Sequence, residues 1–342
     1  MSKWLLPFLL LSVLLAACAS EQPPTLTLMT HDSFAISEET LARFEEEHGV
    51  TVSVLSAGDA GAALNQAILA KDAPLADLLY GVDNTFMGRA LQADIFVPYR
   101  AAGLANVPAS LQLDPTNRLT PIDYGDVCLN YDIAWFQDRE LMPPASLNDL
   151  ADPAYSGLLV VENPATSSPG LAFLLATIAD FGPDGYLDYW GRLRANDVVV
   201  ASGWEDAYYG HFTAASDGDR PIVVSYASSP AAEVFFGELD APPTASVVAP
   251  NSCFRQVEFV GILRGTEQEE LARQFVDYML SRAFQEDIPL NMFVFPANEG
   301  AEMPARFTQW ARTSDQPATL DPAEIDAHRD EWIEAWTDVV LR

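Results

Sequence analysis

The sequence predicts an α/β protein of one large or two medium lobes built on parallel sheet. Three observations predict it: the chain has 342 residues, strand-like and helix-like stretches alternate at short spacing from Thr25 onward, and an almost wholly apolar strand, ADLLYG at 76–81, stands among amphipathic neighbours. Ligands of such sheets sit beyond the carboxyl ends of the strands. The residues that follow each strand are therefore the candidates for binding.

The N-terminus is set apart from the fold. Lys3 followed by an apolar run from Leu5 to Leu15 has the form of a secretory signal and is too short to span a membrane comfortably. It ends in LAAC, which resembles the lipobox of bacterial lipoproteins, with Cys18 lipidated; cleavage near Ala17 or Ala19 in an ordinary secreted protein is the plainer alternative. Residues 1–17 are read as signal peptide and 18–24 as tether.

TLTLMT at 25–30 alternates as a strand, and Ser37 caps a helix that carries Leu41 and Phe44 and stops at Gly49. VTVSV follows as a second strand, and a helix over about 60–71 places Leu64, Ile68 and Leu69 on one face. TPIDYGDVCLNY, 120–131, carries the chain toward a second lobe made of GLLVVENP, a helix after SSPG, the strand VVVAS from Val198, and PIVVSY at 221–226. The Pro-rich stretch 240–252 reads as a connection, and FRQVEFVGIL after it as the strand that returns. Thr266 and Glu269 have capping-box spacing before a helix with Leu271, Phe275 and Met279 on its inner side. Asp321 and Pro322 open a last helix with Ile325, His328, Trp332, Trp336 and Val339 on one stripe, a docking face and not a ligand site.

Composition removes several functions. The net charge is −31, from 49 acidic and 18 basic side chains, which leaves nothing to neutralise nucleic-acid phosphates. His31, Asp32 and Ser33 are consecutive at a strand end, so they do not converge as a catalytic triad does, and no G-x-S-x-G occurs. The four histidines lack metal-site spacing. Cys128 and Cys253 remain as an even pair in an exported protein, either bonded or free.

The strand ends carry the candidates. Thr166, Ser167 and Ser168 precede the helix after SSPG, where free N–H groups suit an anion or hydroxyl tail unless they serve only as caps. Asp59 and Asp83 end strands at the edge of the cleft, as ligand carboxylates or as turn residues. GWEDAYYG, 203–210, offers three readings: an aromatic wall of Trp204 and Tyr208 with Tyr226, an adjacent tyrosine pair for ferric iron, or one face of a core helix.

In order and with similar spacing, TLTLMTHDSF, LLYGVDN, PIDYGDVCLNYD, NPATSSPGL, SGWEDAYYG, VVSYASSP, QVEFVGIL and IPLNMFVFPAN resemble the thiamine-binding substrate-binding proteins of bacterial ABC importers. The resemblance covers essentially the whole chain after the leader. It implies a two-lobed periplasmic-binding-protein-like fold of type II, with 25–122 and 260–342 as the first lobe. The second lobe is 123–259, with crossing hinge strands at both ends, and the ligand lies in the cleft between the lobes. It further implies a disulfide between Cys128 and Cys253, a monomer that closes on its ligand without catalysis, and a membrane permease with its ATPase as partner.

Carried over by segment, Asp59 holds the pyrimidine amino group of thiamine, Trp204 and Tyr226 pack on its rings, and Ser167, Ser168 and Gly170 meet a hydroxyethyl or phosphate tail. Ser228 and Ser229 add polar contacts, with His31, Asp32, Ser33, Asp83, Tyr208 and Phe293 near the ligand, which is thiamine, its monophosphate or its diphosphate; no cofactor is implied. Three positions depart from the family pattern. His31 stands in place of a tyrosine, Ala232 in place of an aromatic, and Phe293 in place of a tryptophan. Related ferric-binding proteins supply the alternative, with Tyr208, Tyr209, His31 and Asp59 around iron.

Overall fold

The computed structural model describes residues 23–342, so the signal-peptide reading and the lipidation of Cys18 fall outside the described residues. Eleven described strands form one ladder. On one side β1 (Thr25–Thr30) lies between β2 (Thr51–Ser56) and β3 (Leu78–Asp83), all parallel. On the other, β6 (Leu159–Glu162) lies between β7 (Val199–Ala201) and β8 (Ile222–Tyr226), again parallel. β3 is buried along its whole length, as expected of a strand covered on both faces.

Two long antiparallel strands join these halves. β5 (Thr120–Asp132) pairs with β10 (Phe254–Leu263) up to Val127 and with β8 beyond it, while β10 also pairs with β3. The expected lobe boundaries, 122/123 and 259/260, fall inside these two strands. Cys128 and Cys253 are bonded across them, one residue past the Val127–Phe254 pair. Short strands complete the ladder: β4 (Phe96–Val97) on β10, and both β9 (Thr244–Val247) and β11 (Phe295–Pro296) on β5.

Several local expectations change. The Pro-rich stretch 240–252 holds β9, whose sequence TASV gave little strand signal because its pairing with β5 is long-range. The second helix is Ala60–Leu69 and Leu69 is 87% exposed, because small residues, Ala60, Gly61, Ala63 and Ala67, pack inward with Leu64. No capping box forms at Thr266 and Glu269: Gln268 holds the N-cap position of Glu269–Met279 without a side-chain cap bond, and the Thr266 hydroxyl donates to Asp77, the residue before β3, while accepting the Gln268 N–H. In Pro322–Val340, Trp332 and Trp336 are buried, but His328 is exposed and Val339 only partly covered; Arg329 and Val340 turn inward instead.

That last helix touches both halves. Trp336 meets Trp190 edge-to-face at 5.4 Å on the Tyr186–Ala195 helix, and the Arg329 guanidinium lies 5.3 Å over the Phe86 ring beside β3.

Candidate functional site

A cavity of about 590 Å³ lies between the halves. The loop after β1 brings His31 and Ser33 to it, the loop after β2 brings Asp59, and β10 brings Glu258. From the other side come Ser168 at the start of Ser168–Phe181, Trp204 and Tyr208 after β7, and Tyr226 and Ser229 at the end of β8. Phe293 also lines it, with a left-handed φ of 55°, a strained conformation of the kind that clusters at functional sites.

Five candidates do not reach the cavity. Asp32 faces a separate outer crevice with Asp206. Asp83 is fully buried behind the cleft: its carboxylate accepts hydrogen bonds from Thr85, the Phe86 N–H and Gln256, so it fixes the turn after β3. Ser167 is the helix cap and accepts the Gly170 N–H at 3.4 Å. Gly170 packs on β6, where an added Cβ would stand 2.6 Å from the Glu162 carbonyl, so the close helix-to-strand approach needs glycine. Ser228 is buried with no partner for its hydroxyl.

Asp59 is one point where the halves meet. Its carboxylate accepts the N–H of Ala60 at 2.6 Å as cap of its own helix, and from the opposite side the N–H of Trp204 at 3.0 Å and of Ser168 at 3.4 Å. An added Cβ at Gly203 would stand 2.9 Å from Asp59 Oδ2, so this approach needs glycine. Burial pushes the Asp59 carboxyl up, against the N–H groups that favour its charge.

Trp204 stacks on Tyr208 with ring centroids 4.9 Å apart and donates its indole N–H to Ser225 at 2.8 Å, so the indole is fixed on two sides. The segment is neither a plain core helix nor a loop: Asp206–His211 is a π-helical turn, which offsets the ring positions from ordinary helix spacing. Tyr208 is buried and donates to Glu233. Tyr209, the second tyrosine of the adjacent pair, is half-exposed and also lines the cavity, edge-on to Trp204 at 5.6 Å. Tyr226 donates to Gln256 at 2.8 Å.

Sequence reasoning passed over Glu205, Glu233, Phe236 and Glu258, all of which line the cavity. Gln256 and Glu258 share one face of a strand otherwise read as a crossing, and that pair of polar residues was the available signal. Phe236 lies one helical turn after Ala232 and meets Phe293 at 5.0 Å, so an aromatic is supplied from the next turn of the Ser229–Phe236 helix where Ala232 has none.

The acids of the hinge divide their protons. Asp123 and Glu258 face each other on β5 and β10, with the Tyr80 hydroxyl between them. Burial and the Glu258 charge raise Asp123 well above its ordinary value. Burial opposes charge on Glu258 too, but His31, 3.4 Å away, holds it below the usual range. Burial likewise works against protonating His31, and Glu258 wins, so its pKa is raised. The shifts thus favour the proton on Asp123 and the charge on Glu258, beside a His31 whose protonated form Glu258 favours.

The set for iron is less well arranged. The Tyr208 hydroxyl is committed to Glu233, and burial and that carboxylate raise its pKa well above the ordinary value, which opposes a phenolate. Among the described residues, no three His, Cys, Asp or Glu side chains group to hold a metal ion.

The bacterial extracellular solute-binding protein family matches residues 73–315. The thiamine-binding periplasmic protein of Salmonella typhimurium is 31% identical over the whole of both chains. A solved periplasmic thiamin binding protein superposes with a TM-score of 0.84 at 28% identity, over 94% of this chain and 98% of that one. Iron-bound HitA from Pseudomonas aeruginosa shares the fold, with a TM-score of 0.74 at 21% identity over 93% of this chain and 99% of that one. With a two-lobed α/β architecture, crossing strands and a cavity between the halves, the chain belongs to the bacterial extracellular solute-binding proteins.

Proposed function

We propose that this protein captures thiamine outside the cytoplasm and delivers it to the permease of an ABC importer, binding by lobe closure and releasing the ligand chemically unaltered. The observation that carries the reading is the joining, in one cavity, of a fixed indole, Trp204, with Tyr226 and Phe293 as further ring surfaces and Asp59 as a carboxylate between the lobes. Aromatic faces attract a flat heterocyclic cation, each desolvated contact contributing about 0.5–2 kcal/mol. Asp59 accepts the pyrimidine amino group, His31, Ser33, Ser168 and Ser229 supply polar contacts, and Tyr208 backs Trp204. The relatives named for thiamine support the same ligand.

Each half contributes part of the wall, so ligand favours the closed form, and that form is the one the permease recognises. The protein acts as a monomer, held by lipid on Cys18 at the outer face of the cytoplasmic membrane or in the periplasm. No helix among the described residues is long and apolar enough to cross a membrane. Calorimetry and tryptophan fluorescence with micromolar thiamine test the reading: heat and a fluorescence change support it. A silent titration, together with a visible tyrosinate band on adding ferric citrate, replaces thiamine with iron.

A further inference from the structure

Among the described residues that line the cavity, Asp59, Glu205, Glu233 and Glu258 are acids and His31 alone is basic. A ligand with a permanent positive charge must find among these acids one whose charge is not already spent. Asp59 is committed to the N–H groups of Ala60, Trp204 and Ser168. Glu233 accepts the hydroxyls of Tyr208 and Thr244, and burial raises its pKa to about 7. Glu205 is exposed, where water weakens its field.

Glu258 is different, because a titratable group stands opposite it. It is buried in the middle of β10; one carboxylate oxygen accepts the Tyr80 hydroxyl at 3.0 Å, and the other lies 3.4 Å from His31 Nε2. The imidazole is seated there: it packs on Tyr80 with centroids 5.6 Å apart, and a Cβ added at Gly81, whose φ is +97°, would collide with its Cδ2. Asp59, Asp32 and, from the opposite lobe, Glu205 also act on the imidazole charge, while Asp123, Tyr80, Asp83 and Tyr226 surround Glu258. Burial works against a charged His31, yet Glu258, backed by Asp59 and Asp32, prevails and raises its pKa. A cation entering the cavity therefore competes with the His31 proton for Glu258.

We infer that Glu258 is the counter-charge for the cationic ring of the ligand and that thiamine binds in exchange for the proton on His31. This rests on the thiamine reading above and adds a proton to it. The exchange is particular to this chain, since a tyrosine, which the family pattern has in place of His31, carries no positive charge to give up. Because the bound state holds fewer protons than the free state, affinity rises as pH rises through the His31 titration, and thiamine lowers the His31 pKa by the same coupling.

The experiment is calorimetry of the full exported chain with thiamine at about pH 6.5 and 8.5, in paired buffers of different ionisation heat, for the wild type, His31→Gln and Glu233→Gln. The wild type should bind at least about fivefold more tightly at the higher pH and release part of a proton on binding. Glu233→Gln should keep both effects, although Glu233 titrates in the same range. His31→Gln should release no proton, and its affinities at the two pH values should agree within about twofold. Wild-type affinity that is flat or falls with pH overturns the inference and leaves the thiamine reading intact. A slope that survives in His31→Gln, or is lost in Glu233→Gln, assigns the proton to another group and also overturns it. The His31 imidazole, followed by NMR in the wild type, should titrate at lower pH with thiamine bound; an unmoved titration overturns the inference even where His31→Gln fails to fold. Absence of thiamine binding at both pH values removes the thiamine reading itself, and this inference with it.

Discussion

The Asp59 carboxylate accepts the backbone N–H of Trp204 at 3.0 Å across the cleft, and this bond ties the loop after β2 to the loop after β7. Because the same carboxylate caps its own helix, closure and local helix stability share one side chain. Asp59→Asn keeps the shape but removes the charge and one acceptor. We expect it to weaken thiamine binding by about tenfold or more, since a charge-assisted hydrogen bond contributes roughly 1.5–3 kcal/mol. Calorimetry checks this, and undiminished affinity would mean that the bond has no part in closure.

Trp204 is held by Tyr208 on one side and Ser225 on another, so its indole is in place before ligand arrives. Trp204→Ala should weaken binding by about tenfold or more if the indole makes a desolvated ring contact. Ser225→Ala should cost less, because it frees the indole to rotate without removing it. A tryptophan fluorescence titration of both variants ranks them, and equal losses would show that position, not the ring, is what matters.

Phe236 is 68% exposed yet lines the cavity and meets Phe293 at 5.0 Å. Its truncation should therefore separate binding from folding. Phe236→Ala is expected to lower affinity by about threefold to tenfold, the range of one aromatic contact, while the thermal midpoint moves little because the ring is mostly in water already. A large fall in the midpoint with unchanged affinity would assign the ring to packing.

Much of the fold was legible because its signals are local. Ser37, Gly49 and Asp321 are the caps expected, and β3 is buried as its apolar run predicts. What was not legible depends on long-range partners. β9 forms because β5 is there to pair with it, and Thr266 turns to Asp77 and leaves the capping box unmade. The site divides in the same way. His31, Asp59, Trp204 and Tyr226 sit where strands end, and they do line the cavity. Glu258 is in mid-strand, and Phe236 fills one helical turn beyond the aromatic position the pattern lacks at Ala232, so neither follows from the strand-end rule.

The Cys128–Cys253 disulfide closes a loop with a sequence separation of 125 and joins the two crossing strands. Loop-closure entropy for a segment of that size corresponds to about 4–5 kcal/mol, and measured losses in small exported domains are about 2–5 kcal/mol. The double variant Cys128→Ser with Cys253→Ser should lose stability in that range by urea unfolding. Reduction of the wild type should reproduce the loss, and a midpoint shared by oxidised and reduced protein would contradict it.

Buried carboxyls should make the protein more stable in mild acid than in mild alkali. Burial raises Asp83 and Glu233 to about 7 each, above their ordinary carboxylate values. Between about pH 4 and 7 the folded state therefore binds more protons than the unfolded state, so unfolding free energy falls as pH rises. The contribution is fully present below the unfolded-state pKa and is lost as pH passes the folded value. Raised His31 acts in the same direction, and Glu258, held low by His31, acts against it at lower pH. The unfolding midpoint should thus be higher at pH 5 than at pH 8. Glu233→Gln removes one of these titrations while an amide still faces Tyr208 and Thr244, the two hydroxyls that donate to the carboxylate. It should flatten the slope between pH 5 and 8. An unchanged slope in that variant would place the titration elsewhere, and a midpoint that rises toward pH 8 in the wild type would reverse the assignment.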